Sequence, residues 1–479
     1  MAVSKKVAVL GLDGLSQGYL NKLINHGILT YTKHLVNSSH TTIYNLECFP
    51  PTTPPSWTTI LTGVNPGKHG IFAFDYIEPN TLEHRLFNAI HLEHPRIHEI
   101  LSMLEIPSIM INPIPGYPLI PAKNSKIISH TVIVPKTQYY PKNRDMEKYC
   151  RKIDLALNIP NNTLNECEKS LIKSLNLVKA VLEIVEDMLQ TSKWNLLWIN
   201  FQIPDIILHK CGFEIFTKIL KMERRLFNYI DRLVKIMDEL SDFLIIVSDH
   251  GFSMYNRLIR INDILANKGY VEAVNEFSKA ALREYRELKL EIAGKSTSRT
   301  RNFMVKHVDK YRSKAFYISK WNLGVYVKDE KIADKIIRVL GNVKGIKWVK
   351  TREEIYHGPY VNRAPKLILC PDFDSGYLQS DNKIVGNEYE EGLFKDHHPL
   401  GVFIVKSKDV TLKRKPKVTN TVVTPLIMYI LEMPLPKMSD GVDELKSILA
   451  EKPSVIRFKN YTPKWRILKK IVSTLKVVK

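Results

Sequence analysis

Two apolar runs in this chain end in the same way. Val7-Ala8-Val9-Leu10-Gly11-Leu12 leads into Asp13-Gly14, and Phe243-Leu244-Ile245-Ile246-Val247 leads into Ser248-Asp249-His250-Gly251. Short continuous apolar runs read as strands covered on both faces, the pattern of a parallel sheet between helices. Open α/β sheets place their sites beyond the carboxyl ends of such strands. A single Asp-Gly there is also an ordinary turn. The Asp249-His250 pair is harder to assign to packing, because charged groups are seldom buried without a partner, and a metal ion is a suitable one.

Ser108 to Ile111 and Trp194 to Phe201 read as further buried strands. The second runs into Asp205 and His209, which a helix would place one turn apart on one face, where they could clasp one cation. Residues from Pro95 to Leu104, from Asp145 to Ser192 and from Phe216 to Leu240 read as helical. Lys366 to Cys370 and Pro399 to Val405 return to strand, the latter just after His397 and His398.

Between these elements lies Cys48-Phe49-Pro50-Pro51-Thr52-Thr53-Pro54-Pro55-Ser56-Trp57. Proline is tolerated in a first helical turn, so Thr53 is expected as the N-cap of a helix whose buried face begins with Trp57, Ile60 and Leu61. A hydroxyl there sits by free backbone N–H groups and the positive end of the helix dipole, a site suited to phosphate. Thr53 thus joins Asp13, Asp205, His209, Asp249, His250 and His397, a mixed set of oxygen and nitrogen donors that suits zinc, manganese or iron.

These motifs in this order resemble the type I phosphodiesterase/nucleotide pyrophosphatase family of the alkaline phosphatase superfamily, especially its microbial, archaeal branch. They are Leu12-Asp13-Gly14, Phe49-Pro50-Pro51-Thr52-Thr53-Pro54-Pro55-Ser56-Trp57-Thr58, Pro66-Gly67-Lys68-His69-Gly70, Pro204-Asp205 with His209, Ser248-Asp249-His250-Gly251, and His397 with Pro399 and Gly401. The resemblance implies a three-layer α/β sandwich with a mostly parallel sheet, an inserted cap and two divalent metal ions, zinc foremost. It implies Thr53 as nucleophile. Asp13, Asp249 and His250 would hold the metal that also binds Thr53, and Asp205, His209 and His397 the other. His397 is preferred over His398 by its spacing to Gly401, and Thr53 over Thr52. His69 is read as structural. Ser56 stands where nucleotide pyrophosphatases carry an asparagine in the region, and is expected to donate to a phosphate oxygen. No arginine follows in the loop, which argues against sulfatase chemistry.

The expected reaction is hydrolysis of phosphodiester or pyrophosphate bonds in small, nucleotide-like anionic substrates through a phosphothreonine. The alternatives are a phosphomonoesterase or phosphomutase, which would need a further cation near the site, and a non-catalytic binder of nucleic acid or anionic membrane. The formal net charge of +21 on 479 residues favours an anionic partner in every case. Expected divisions are core residues 1–252 and 321–450, a helical insertion at 253–320, and a basic tail at 451–479. Residues Ser278 to Arg312 within the insertion read as an exposed helical excursion. The five scattered cysteines argue against a disulfide framework. No apolar run approaches the ~18 residues of a membrane helix, and a cytoplasmic location is expected.

Overall fold

The computed structural model describes residues 4–78, 82–130, 137–159, 164–277, 304–379, 383–451 and 455–477. Its centre is a nine-stranded sheet. In chain order the strands are β1 (Val7–Leu12), β2 (Thr41–Glu47), β3 (Ser108–Ile111), β4 (Ser125–Ser129), β5 (Gln138–Tyr140), β6 (Leu196–Phe201), β7 (Phe243–Val247), then β10 (Leu400–Ser407) and β11 (Lys417–Thr419). Two longer strands, β8 (Gly251–Ile259) and β9 (Tyr389–His398), leave the sheet between β7 and β10. The spatial order is β11-β2-β10-β7-β1-β6-β3-β4-β5. All but β5 and β10 run the same way.

Alternation along the central strands explains their continuous apolar character. Ala8, Leu10 and Leu12 of β1 join one core, while Val7 and Val9 join the core on the other face. The first core packs under the helices α2 (Glu166–Thr191) and α4 (Lys221–Glu239); the second contains Trp57 of α1 (Thr53–Thr62). With Leu10 wholly buried, Leu10→Ala would cost roughly 2–5 kcal/mol.

The β8–β9 ladder carries the chain into a second lobe. There, strands at Ala315–Tyr317, Gly324–Val327, Ile346–Thr351 and Leu367–Pro371 form a sheet with its own core, including Ile259, Phe316, Val325 and Leu369. The region expected as a helical insertion is mixed in its described part: β8 continues to Ile259, a helix spans Ile261–Asn267, and Ala273–Phe277 pairs with Met304–Val308. The helical excursion expected over Ser278–Arg312 lies outside the described residues up to 303, and beyond it Met304–Val308 is a strand.

The cysteines require a correction. Cys167 and Cys211 form a disulfide, joining the first turn of α2 to the end of the short helix α3 (Asp205–Lys210). The two residues are far apart in sequence and form no recognisable motif; the packing of α2 beside α3 brings them together. Cys48, Cys150 and Cys370 are free and buried.

Candidate active site

The direction of the strands gathers the site. Parallel strands β1, β6 and β7 end on one edge of the sheet, delivering Asp13, Asp205, and Asp249 with His250. Strand β10 runs against β7, so its start lies at that same edge. His397, at the end of β9, arrives there from the other side of the chain, paired with Phe252 in the ladder. Strand β2 also points to this edge and leads into the Phe49–Thr53 loop. Two close approaches require glycine. A Cβ on Gly11 would meet the Trp57 ring at 2.7 Å, and Gly14, at φ +76°, would carry a Cβ 2.8 Å from that of Asp205.

The six expected donors meet as two overlapping groups. His250 Nε2 lies 3.4 Å from Asp13 Oδ1 and 3.4 Å from Asp249 Oδ2. Asp205 Oδ1 lies 3.2 Å from His397 Nε2 and 3.3 Å from His209 Nε2. The His250 and His397 rings stack at 3.8 Å between centroids, joining the two groups. Donor atoms of Asp13, Asp249 and His250 lie within 4.8 Å of one another, as do those of Asp205, His250 and His397. Asp205 and His209 share one turn of α3, as their spacing requires.

The backbone fixes how the imidazoles face. His250 Nδ1 sits 2.9 Å from the Gly251 carbonyl, and His397 Nδ1 sits 2.8 Å from that of Pro51. A carbonyl can only accept, so each Nδ1 carries a proton and each Nε2 is directed inward. Burial, aided by the nearby His397, pushes His250 down to about 3, so it is neutral. Its lone pair therefore faces two carboxylates. Asp13 Oδ1, Asp205 Oδ1, Asp249 Oδ2 and His250 Nε2 are all buried without a hydrogen bond among the described residues. Burial first, and then neighbouring carboxylates, raise Asp13 and Asp249 well above the usual range. Burial would also raise Asp205, but His209 and His397 beside it hold it well below. His397 shows the converse: burial lowers it, yet Asp205 and Asp396 raise it overall. Converging lone pairs and orphaned carboxylate oxygens fit divalent cations, and imidazoles anchored on carbonyls are a common arrangement around metals.

Thr53 is the first residue of α1, and Thr52, not Thr53, is the cap. Thr52 takes the extended conformation while its hydroxyl donates to the Trp321 carbonyl (2.9 Å). The N–H supply is smaller than expected. Pro54 and Pro55 have none, and that of Ser56 is bonded to Thr52 O (3.1 Å), which leaves the N–H of Thr53 itself. Trp57, one turn further, donates from its indole to Asp13 Oδ2 at 3.2 Å. Positions four apart share a helix face, so Thr53 and Trp57 project from the same side of α1. Its hydroxyl makes no hydrogen bond with any described residue. Ser56 differs: its proton goes to the Pro50 carbonyl (3.3 Å) and its oxygen faces the Asn420 amide (3.4 Å). Donation from Ser56 to a substrate would require that first bond to break.

Alternation in β9 separates the two histidines. His398 accepts the Leu400 N–H and packs on Phe373, away from the donor groups. His69 is wholly buried, accepts the Ile71 N–H at Nδ1, and meets Thr59 through Nε2. Sequence reasoning missed Asp396, a buried carboxylate that groups with His209 and His397 and pairs with Lys320. Its signal was an Asp-His dipeptide like Asp249-His250. Lys320 itself comes from the second lobe and lay beyond any local motif.

A profile of the type I phosphodiesterase / nucleotide pyrophosphatase family matches residues 7–398. The fold is that of alkaline-phosphatase-like hydrolases. The phosphonoacetate hydrolase of Sinorhizobium meliloti 1021, solved with phosphonoformate, superposes with a TM-score of 0.61 at 17% identity, over 90% of this chain and 96% of that one. Murine ectonucleotide pyrophosphatase / phosphodiesterase 5 superposes with a TM-score of 0.53 at 14% identity, over 93% of this chain and 100% of that one. An inactive form of that murine protein, solved with AMP, gives 0.51 at 14% identity, over the same shares of the two chains. No curated protein sequence matches the chain. The chain belongs to the type I phosphodiesterase/nucleotide pyrophosphatase family, and is a hydrolase of the phosphodiesterase/pyrophosphatase type.

Proposed function

We propose that this protein hydrolyses phosphodiester or pyrophosphate bonds of small anionic substrates, with Thr53 as the nucleophile. What supports the reading is a Thr53 hydroxyl with no hydrogen bond to a described residue, at the start of the helix whose Trp57 donates to Asp13, in a site with orphaned buried carboxylate oxygens and imidazoles. Asp13, Asp249 and His250 would hold one divalent cation, and Asp205, His209 and His397 a second; zinc is preferred for this mixed donor set. When bound, such ions supply positive charge that favours a deprotonated hydroxyl and stabilises oxygens around phosphorus.

The residues of the chain do the rest. Thr53 Oγ1 bonds to phosphorus as the bond to the leaving oxygen breaks, and the hydroxyl proton passes to solvent. The departing oxygen takes a proton from water. A second water then attacks phosphorus, releasing phosphate or its ester and returning the Thr53 hydroxyl. The Thr53 N–H would donate to a non-bridging oxygen. The second lobe, which brings Lys320 and Trp321 beside Thr52 and His397, acts as the cap that shapes access. Lys320 also bears on the choice of ester. A monoester would call for an additional cation, but Lys320 is already matched by Asp396, which favours the less charged diester.

The test pairs metal counting with turnover. Bis-p-nitrophenyl phosphate should be cleaved faster than p-nitrophenyl phosphate, and chelation should abolish both activities. Thr53→Ala should retain its metal content and lose at least about 100-fold in kcat, the scale of removing a nucleophile. Full turnover by a metal-replete Thr53→Ala protein would exclude the assignment.

A further inference from the structure

Helix α5 (Thr462–Val477) is seated on the body by one face and presents another to solvent. Trp465 is 3% exposed and packs with Ile71 and Leu92, while the Lys469 amine donates to the Ile90 carbonyl at 2.7 Å. Upstream, Phe458–Lys459 pairs with Leu435–Pro436, so the approach to the helix is anchored as well. The outward face is apolar: Ile467, Leu468 and Ile471 are 63%, 43% and 50% exposed. They follow the three- and four-residue spacing of a single stripe. Phe458 and Ile90 are also exposed nearby in the chain path and at the helix seat.

Lys464 and Lys470 flank this stripe, and both are exposed, as are Arg457, Lys459 and Arg466. From Arg457 to Val477 the sequence contains no aspartate or glutamate. An apolar stripe with a cationic rim on a helix fixed flat against its domain has the make-up of an interfacial helix. A polynucleotide would meet the charge but leave the aliphatic stripe in water, and the helix's aromatic ring is buried and cannot stack on bases. A second copy docking through the same face would set one cationic rim against another.

We propose that α5 docks the folded protein onto an anionic lipid surface, with Ile467, Leu468 and Ile471 entering the headgroup boundary and Lys464 and Lys470 meeting lipid phosphates. The proposal is independent of the hydrolytic reaction.

The full-length protein would be sedimented with vesicles of phosphatidylcholine alone and with vesicles containing phosphatidylglycerol. Binding to the second kind only, weakened steeply by salt, is expected. Ile467→Ser/Ile471→Ser should lose about tenfold or more in apparent affinity, and Lys464→Gln/Lys470→Gln several-fold, with turnover of a soluble diester unchanged in both. The lysine variant keeps the test decisive if the serine variant fails to fold. Equal sedimentation of wild type and variants, equal binding to both vesicle types, or no binding to either would overturn the proposal. So would a wild-type dimer that Ile467→Ser/Ile471→Ser dissociates, or tighter capture by a single-stranded polynucleotide than by anionic vesicles.

Discussion

His250 shows how a single side chain is prepared by its neighbours. Its Nδ1 proton is committed to the Gly251 carbonyl, and burial pushes its pKa down to about 3, so the ring is neutral near pH 7. Removing the ring should therefore remove a donor and leave Asp13 and Asp249 facing each other. His250→Ala is expected to bind about one metal equivalent fewer per chain, measured by elemental analysis after dialysis; an unchanged count would remove His250 from the ligand set. A different set of buried histidines controls acid stability. Burial pushes His94 to about 4, His98 to about 3 and His130 to about 4, against an ordinary 6.5. Between pH 6.5 and about 4 the unfolded chain takes up protons that the native chain does not. Stability is thus present above 6.5 and is lost as pH falls. His98→Leu should lose less of its thermal midpoint than wild type from pH 7 to pH 5, so the gap between the two should change. A gap that stays constant would contradict the assignment. Asp249 and His250 stood out as candidates because an acid-histidine pair after an apolar run has few structural uses, whereas Asp13-Gly14 alone also reads as a turn. Ser56 was assigned from the family resemblance, and its hydroxyl proton is taken by the Pro50 carbonyl.

At the scale of elements, α3 has six residues, too few for a stable helix on its own. It carries Asp205 and His209, so something must hold it. The Asp205 N–H donates to Asp13 O (3.0 Å), and the Lys395 amine reaches the Cys211 carbonyl at its end. The Cys167–Cys211 disulfide, across a separation of 44 residues, then ties it to α2. Chain entropy for such a loop is worth about 4 kcal/mol. Cys211→Ser should lower the thermal midpoint by several degrees and release bound metal faster to a chelator than wild type does; equal release rates would mean α3 is held without the bond. The strands β1, β6 and β7 could be read because they are apolar on both faces. The β8–β9 ladder could not. Its residues alternate between buried and exposed irregularly, with a register shift between Tyr255 and Arg257, so no clean period of two remains. The Thr52 cap was misplaced by one residue for a related reason: two adjacent threonines before two prolines satisfy the same local preference.

For the whole molecule, the candidate ligands run from Asp13 to His397 and are brought together only when the sheet, α3 and the β8–β9 ladder are all in place. Sequence could supply candidates for that set, because Asp13, Asp249 and His250 follow apolar strands and Asp205 and His209 lie one helical turn apart just beyond another, but not the contributions of Asp396 and Lys320. These depend on how the second lobe returns to the first. The same topology links metal binding to folding. Without cations the native state confines three carboxylates and inward lone pairs, whereas the unfolded chain solvates them separately. Cations that bind the assembled site and not the unfolded chain must raise stability, by about 2.7 kcal/mol for each site at a free concentration 100 times its Kd. A thermal scan should therefore rise by several degrees on adding zinc to chelator-treated protein. Asp249→Asn, which impairs one group while leaving Asp205, His209 and His397, should give roughly half that rise. If the wild type melted identically with chelator and with zinc, the orphaned oxygens would need another partner; if Asp249→Asn kept the full rise, Asp249 would not be a ligand.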